Sequence, residues 1–230
     1  MSEPGRVLVV DIGGQHVKAL LAGESEPRRF ESGPDLTPQQ MVDGVRALVG
    51  DDWDYDAVSV GIPAPVAHGR VVTDPVNLGE GWTGFDYEGA FGKPTKLVND
   101  AAMQALGSYE GGKMLFLGLG TGLGSALVVD GIVEPMELGH LPFRKRTFED
   151  YVGERGLNRL GRKKWKQAVH ETVERLTAAL EPDYVVLGGG NAKRLDELPP
   201  RSKLGANENA FEGGIRLWRE ASPRPATAPD

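Results

Sequence analysis

Apolar and polar positions alternate between residues 6 and 31 on both sides of a glycine turn, a pattern that predicts strands. From Pro38 to Val49 the apolar residues Met41, Val45, Leu48 and Val49 fall on one helical face, entered through Thr37-Pro38 as cap and first helical residue. Ala57–Val60 is a short apolar run, predicted as a buried strand, and leads into Gly61-Ile62-Pro63-Ala64-Pro65. Residues 61–84 hold five glycines and three prolines without sustained periodicity, which predicts a largely irregular loop carrying Asn77 and Trp82. Lys96–Val98 is predicted as a strand and Ala101–Tyr109 as a helix with Ala102, Ala105 and Leu106 inward and Asn99-Asp100 at its start. Met114–Leu117 and Ala126–Val129 flank Gly118, Gly120, Gly122 and Gly124, and the second run ends at Asp130-Gly131, the pattern of a β-hairpin. Glu134–Arg146 reads as irregular, and Phe148–Leu160 and Lys164–Leu180 as two helices. Tyr184–Leu187 is a buried strand running into Gly188-Gly189-Gly190, with a helix from Asn191 to Leu195. Phe211–Trp218 reads as a short last helix, and Ser222–Asp230 as a disordered tail. Strands and helices alternate through most of the chain, so the fold class is α/β.

The glycine hairpin has a counterpart. Sliding Asp11–Ala22 by 107 positions lays Gly13 on Gly120, Ala19 on Ala126 and Leu20 on Leu127, and a hydrophobic strand precedes both copies. A repeat this long is no solenoid unit and predicts two similar lobes, residues 1–111 and 112–221, followed by a tail at 222–230. Glycine lets backbone N–H groups approach an anion closely, and Thr121 and Ser125 can add hydroxyl donors. Two such hairpins facing each other would suit a phosphate chain; an ordinary hairpin with a wide loop is the plainer alternative for either one.

Composition narrows this only a little. Apolar content of 40% and charged content of 26% are ordinary for a globular protein, and a net charge of −7 argues against whole-surface nucleic-acid binding. Zero cysteines exclude disulfides and thiolate metal sites. No apolar segment reaches the length of a membrane span and Met1–Gly5 is no signal peptide, so a cytoplasmic location is expected, with no membrane partner.

Five motifs stand in order: Asp11-Ile-Gly-Gly, Asn99-Asp100-Ala, Gly120-Thr-Gly-Leu-Gly, Glu137-Leu-Gly-His140 and Gly188-Gly-Gly. With them the chain resembles the ROK-family sugar kinases, above all the compact polyphosphate/ATP glucokinases, over about residues 6 to 218. The resemblance implies the two-lobed actin–hexokinase (ribonuclease H-like) fold, with sugar and nucleotide in a cleft. It implies phosphorylation of the 6-hydroxyl of glucose or a related hexose, Asp100 being the base; the alternative for an Asp at a helix start is an ordinary cap. Asp11 resembles the family's acid near Mg²⁺, acting through water. Gly13, Gly14 and Gln15, with Lys18 beyond them, correspond to the first phosphate loop, although structural roles suit Lys18 and its neighbour His16. Gln15 stands where the family usually has Thr or Ser, and this replaces a small hydroxyl donor by a longer amide. Gly120, Thr121 and Gly122 correspond to the second phosphate loop, and Gly188, Gly189 and Gly190 to the adenosine-side turn. Glu137, His140 and Asn77 resemble sugar ligands, while Asn99 either joins them or only shapes its turn. Many members hold zinc through this His and three cysteines; without cysteines, no zinc of that kind is expected here.

The donor expected from the resemblance is ATP, inorganic polyphosphate or both. Residues 144–166 carry nine basic and three acidic side chains, +6 in a chain of net −7. Such a segment is either a track for a long polyanion or a solvated basic helix face. Two other functions fit the family. A sugar-responsive repressor is disfavoured, because only five residues precede the first strand. A catalytically silent sugar sensor is encouraged by Gln15 alone. A homodimer is compatible with the sequence but not specified by it.

Overall fold

The computed structural model describes residues 4–206 and 208–219, so the expected tail at 222–230 lies outside the described residues. The chain divides into two compact units, one reaching to Gly107 and regaining Glu208–Arg219, the other starting at Ser108.

The first unit is built on a five-stranded sheet, β1 (Val7–Ile12), β2 (His16–Leu21), β3 (Arg28–Glu31), β4 (Ala57–Ile62) and β7 (Thr95–Asn99), in the order β3-β2-β1-β4-β7. A two-stranded ladder, β5 (Val66–Ala67) with β6 (Arg70–Val71), interrupts the loop after β4. Strand β2 runs antiparallel to β1 and β3 antiparallel to β2, while β4 pairs parallel with β1 and β7 parallel with β4. Helix α1 (Pro38–Val49) begins in a capping box, in which the Thr37 hydroxyl accepts from Gln40 N–H and the Gln40 side chain accepts from Thr37 N–H. It buries Met41, Val42, Val45 and Val49 against the core, so Val42 takes the place expected of Leu48. Helix α2 (Tyr87–Phe91) and helix α3 (Asp100–Ser108) complete the unit's first stretch.

The second unit repeats the plan. Its sheet comprises β8 (Lys113–Leu119), β9 (Leu123–Val129), β10 (Ile132–Met136), β13 (Tyr184–Gly188) and β14 (Ser202–Leu204), ordered β10-β9-β8-β13-β14. Again a meander of three strands with two antiparallel pairings precedes two parallel additions, and loop 120–122 takes the place of loop 13–15, the spacing the 107-residue repeat requires. Residues 132–136, expected to be partly irregular, form the edge strand β10; Asp130 and Gly131 both have positive φ (52° and 81°), as a tight hairpin turn needs. Pro135 is tolerated there because an edge strand has one side without a ladder.

Between the sheet's two halves run a small ladder, β11 (Pro142–Phe143) with β12 (Arg146–Thr147), then α4 (Phe148–Val152) and α5 (Glu154–Leu180). The expected break after Leu160 is present as Gly161, whose φ of 74° and ψ of 159° leave the helical region inside α5. Gly153 adds a second break, so the expected first helix is two pieces. The helix expected at Asn191–Leu195 is only a 3₁₀ turn, Ala192–Arg194.

Helix α6 (Asn209–Arg216) packs on β1 and β4, which puts residues 208–219 with the first unit rather than with the second, where sequence order alone places them. Three glycines make this possible: a Cβ on Gly107 would overlap the Asn209 carbonyl, one on Gly213 the Met103 carbonyl, and one on Gly214 the Val9 side chain. Buried Ser59 on β4 donates to Gly214 O at 2.6 Å and accepts from Trp218 Nε1 at 2.8 Å, closing the contact.

Candidate functional site

Three parallel strands of the first unit end side by side. In register, Asp11 of β1 lies opposite Gly61 of β4, and Gly61 opposite Val98 of β7. Asp11 and the end of β7 are therefore two strand spacings apart, about 10 Å. Asp100 opens α3 directly after β7, at the same carboxyl edge, where ligands of parallel α/β sheets gather. Gly61 is needed for this: a Cβ there would overlap Met103 Cε and come within 3.6 Å of Asp100 Cα, so its absence lets the first turn of α3 lie over the strand end.

Asn99 shapes its turn, one of the two roles expected of it. Its Oδ1 accepts from Ala101 N–H at 3.0 Å and Ala102 N–H at 3.2 Å, and its Nδ2 donates to Ala64 O at 3.2 Å. Capping is thus done by Asn99, and Asp100 is the half-buried first residue of the helix, its Oδ1 accepting from Ala101 N–H at 2.8 Å. Asp11 is buried enough, with 13% of its side chain exposed, that desolvation raises its pKa above the usual carboxylate range; Lys18, 3.9 Å away on the neighbouring strand, offsets part of this. Lys18 accordingly serves Asp11 first.

Peptide planarity decides where the glycine loops point their donors. Gly13 O accepts from the Ser32 hydroxyl at 2.6 Å, and Gln15 O from Ser32 N–H at 3.0 Å. A trans peptide directs its N–H opposite to its C=O, so a pinned Gly13 carbonyl turns the Gly14 N–H outward. In the second unit the Gly120 and Thr121 carbonyls both accept from Glu154 N–H (3.0 and 3.2 Å), and Gly120 O also accepts from Asn191 Nδ2 (3.2 Å). The N–H groups of Thr121 and Gly122 therefore face away from α5. The Gly13 and Gly120 N–H groups are spent within their own loops, on His16 O and on the Gly118 and Gly122 carbonyls. Gln15 and Thr121 are exposed, as is Gly14. A Cβ on Gly14 or Gly120 would meet nothing within 4 Å, and neither residue has a left-handed φ. The fold itself does not require glycine at these two positions.

The second unit gathers further expected residues. Gly188 ends β13 opposite Gly118, and Gly189, with φ of 80°, leaves no room for a Cβ, which would stand 2.6 Å from Leu119 O; Gly190 is open. Glu137 and His140 bracket a 3₁₀ turn (Leu138–His140), both exposed, with Nδ1 to Oε2 at 3.8 Å. Ser125 holds that turn, donating to Met136 O at 2.6 Å and accepting from Leu138 N–H at 3.1 Å. Ser125 is therefore structural, not a phosphate donor. Asn77 stands exposed on its own loop in the first unit.

Sequence reasoning missed Ser32, Asn191 and Glu149. A Cβ on Gly122 would lie 2.6 Å from Glu149 Oε2, and one on Gly139 would lie 3.5 Å from Glu149 Cβ, so this carboxylate links the glycine loop to the Glu137–His140 turn. Its only sequence signal was a place among basic residues. Among those, Arg144 pairs with Glu171, Arg162 and Lys166 with Asp196, and Arg159 donates to Asp150 O. The Glu171 and Asp196 carboxylates lower the positive excess; Lys145, Arg146, Arg155, Lys163 and Lys164 remain exposed. A cavity of about 700 Å³ in the second unit, beside His170, Thr177 and Arg201, includes none of the expected site residues. Among the described residues no group of three His, Asp or Glu side chains is placed to hold a metal, and no helix is long and apolar enough to cross a membrane.

Two units of the same strand order, each opening on a glycine hairpin, define an α/β protein of the actin–hexokinase architecture. Residues 7–156 match the ROK family, and the chain belongs to it, as one of its sugar-phosphorylating kinases. Polyphosphate glucokinase of Mycobacterium tuberculosis is 25% identical over 212 residues, covering 83% of this chain and 80% of that protein. The inorganic polyphosphate/ATP-glucomannokinase of an Arthrobacter species superimposes with a TM-score of 0.78 at 24% identity, covering 94% of this chain and 98% of the other. A ROK-family glucokinase from Streptomyces griseus, in complex with glucose and AMPPNP, superimposes with a TM-score of 0.73 at 16% identity, over 93% and 99% of the two chains.

Proposed function

We propose that the protein transfers a phosphoryl group from ATP, inorganic polyphosphate or both to the 6-hydroxyl of glucose or a related hexose. The observation that carries this is the division of labour at the start of α3. Asn99 caps the helix at the Ala101 and Ala102 N–H groups, and Asp100, half-buried on the first turn, stands at the carboxyl edge of the sheet as a base for a hydroxyl.

In this reaction the sugar oxygen attacks the terminal phosphorus and Asp100 accepts the hydroxyl proton. As the new O–P bond forms, the bond to the leaving phosphate oxygen breaks, and that oxygen keeps the electron pair. The outward N–H groups of Gly14 in the first unit, and of Thr121 and Gly122 in the second, donate to phosphate oxygens. Gly14 and Gly120 are small because a phosphate, not the fold, needs the space. Asn77, Glu137 and His140 hydrogen-bond the sugar, and Glu149 joins them through its place beside Gly139. Asp11 fits a Mg²⁺ ion held through water, because a carboxylate raised by burial gains from a nearby cation. When bound, the metal would neutralise charge on the phosphates.

The Gly188–Gly190 turn is proposed for the adenosine side. The exposed cations Lys145, Arg146, Arg155, Lys163 and Lys164 are proposed as the surface a polyphosphate chain follows. A donor-by-sugar activity matrix on the purified chain tests the reading, with hexose 6-phosphate as the expected product. Sugar-dependent thermal stabilisation without any product would instead support the silent sensor.

A further inference from the structure

Residues 74–83 form a closed loop on the first unit with Val76 and Asn77 at its tip. The Asp74 carboxylate accepts from Gly81 N–H at 2.9 Å, Thr83 N–H at 2.7 Å and the Thr83 hydroxyl at 2.9 Å. With Gly81 at φ 91°, the N–H groups here form a concave nest for an anion, and Asp74 fills it. These bonds, from Gly81 first and then from Thr83, hold the Asp74 carboxyl below the usual carboxylate range. The middle of the loop is held separately. Gly79 N–H donates to Leu36 O at 3.0 Å, and a Cβ on Gly79 would lie 2.9 Å from the Asp35 carbonyl, so the backbone lies flat against the residues leading into α1. Pro75 and Leu78 are buried on either side of the tip. Between these anchors Asn77 is exposed and Val76 is 96% exposed, the extreme among the large apolar side chains of the described residues. A valine held outward on a fixed loop gains nothing in the free protein.

We propose that Asp74 is a positioning residue that fixes the Val76–Asn77 tip before sugar arrives, the tip then reading the sugar through the Asn77 amide and an apolar Val76 contact with the ring's C–H face. This rests on the proposed role of Asn77 as a sugar ligand. A loop fixed in advance leaves little ordering cost to be met on binding. Without the clamp that cost falls on sugar affinity and leaves the chemical step alone.

Asp74→Ala and Asp74→Asn in the full chain test the proposal. Asp74→Ala is expected to raise the sugar KM about tenfold, with kcat and donor KM within about twofold. Asp74→Asn falls between, because its amide oxygen accepts hydrogen bonds and its NH₂ does not. Amide hydrogen exchange at Gly81 and Thr83 should accelerate in the alanine variant, and Val76→Ser should raise the sugar KM with exchange unchanged. Unaltered exchange in Asp74→Ala would overturn the clamp. Accelerated exchange with an unaltered sugar KM would overturn its role in recognition. A wild-type protein that phosphorylates no hexose defeats the kinase reading and the recognition role together, while the exchange data still decide the clamp.

Discussion

Burial sets the behaviour of Asp11. Its folded pKa is raised, by desolvation first and with Lys18 only partly compensating, so the folded protein holds this proton more tightly than the unfolded chain does. Its contribution to stability is therefore full below the ordinary carboxylate range and is lost as pH rises through the folded value. Asp11→Asn removes a penalty that exists at neutral pH. The variant should melt above wild type at about pH 7, by roughly 2–4 °C for each kcal/mol relieved, and the gap should close toward about pH 3. A gap that widens on acidification would show that Asp11 is stabilised, not strained, by its surroundings. At this scale the sequence was informative about residue type and silent about partners. Asp11 and Asp100 were legible as acids at strand ends, whereas the bonds of Asn99 to Ala64, Ala101 and Ala102, which shape its turn, were not. Ser32 gave no signal because its hydroxyl acts on Gly13, nineteen residues away.

Loops of the same length do different work according to what lies beneath each glycine. Gly189 has φ of 80° and the Leu119 backbone 2.6 Å from any added Cβ, so Gly189→Ala should cost about 2 kcal/mol or more in chemical denaturation. Gly14 and Gly120 face open space, and their alanine variants should stay within about 0.5 kcal/mol of wild type. If their smallness serves a phosphate, both should still raise the donor KM about tenfold. A destabilised Gly120→Ala with normal donor kinetics would contradict this assignment. Element boundaries were legible where the signals were local: the Thr37-Pro38 helix start and the Gly161 break both stand where the pattern puts them. β10 was hidden because five residues interrupted by Pro135 carry too little alternation, and the strand exists through its pairing with β9.

The whole molecule is a duplication, and the 107-residue repeat was enough to foresee two sheets of one design. The placement of α6 was not foreseeable, since helical spacing shows which face is apolar but not which sheet will receive it; Gly107, Gly213 and Gly214 decide that by allowing close approach to α3 and β1. Charge is also a property at this scale. Against a net charge of −7, the exposed cations between Lys145 and Lys164 should make turnover with polyphosphate fall steeply from roughly 50 to 300 mM salt, and turnover with ATP much less. Equal slopes would remove the polyanion track without touching the rest. The most direct test of the account is the rate of hexose 6-phosphate formation by Asp100→Asn at saturating sugar and donor. A fall in kcat of about 10²-fold or more, with sugar binding and melting temperature retained, is the predicted result; near-normal turnover would take Asp100 out of the chemistry and the proposed mechanism with it.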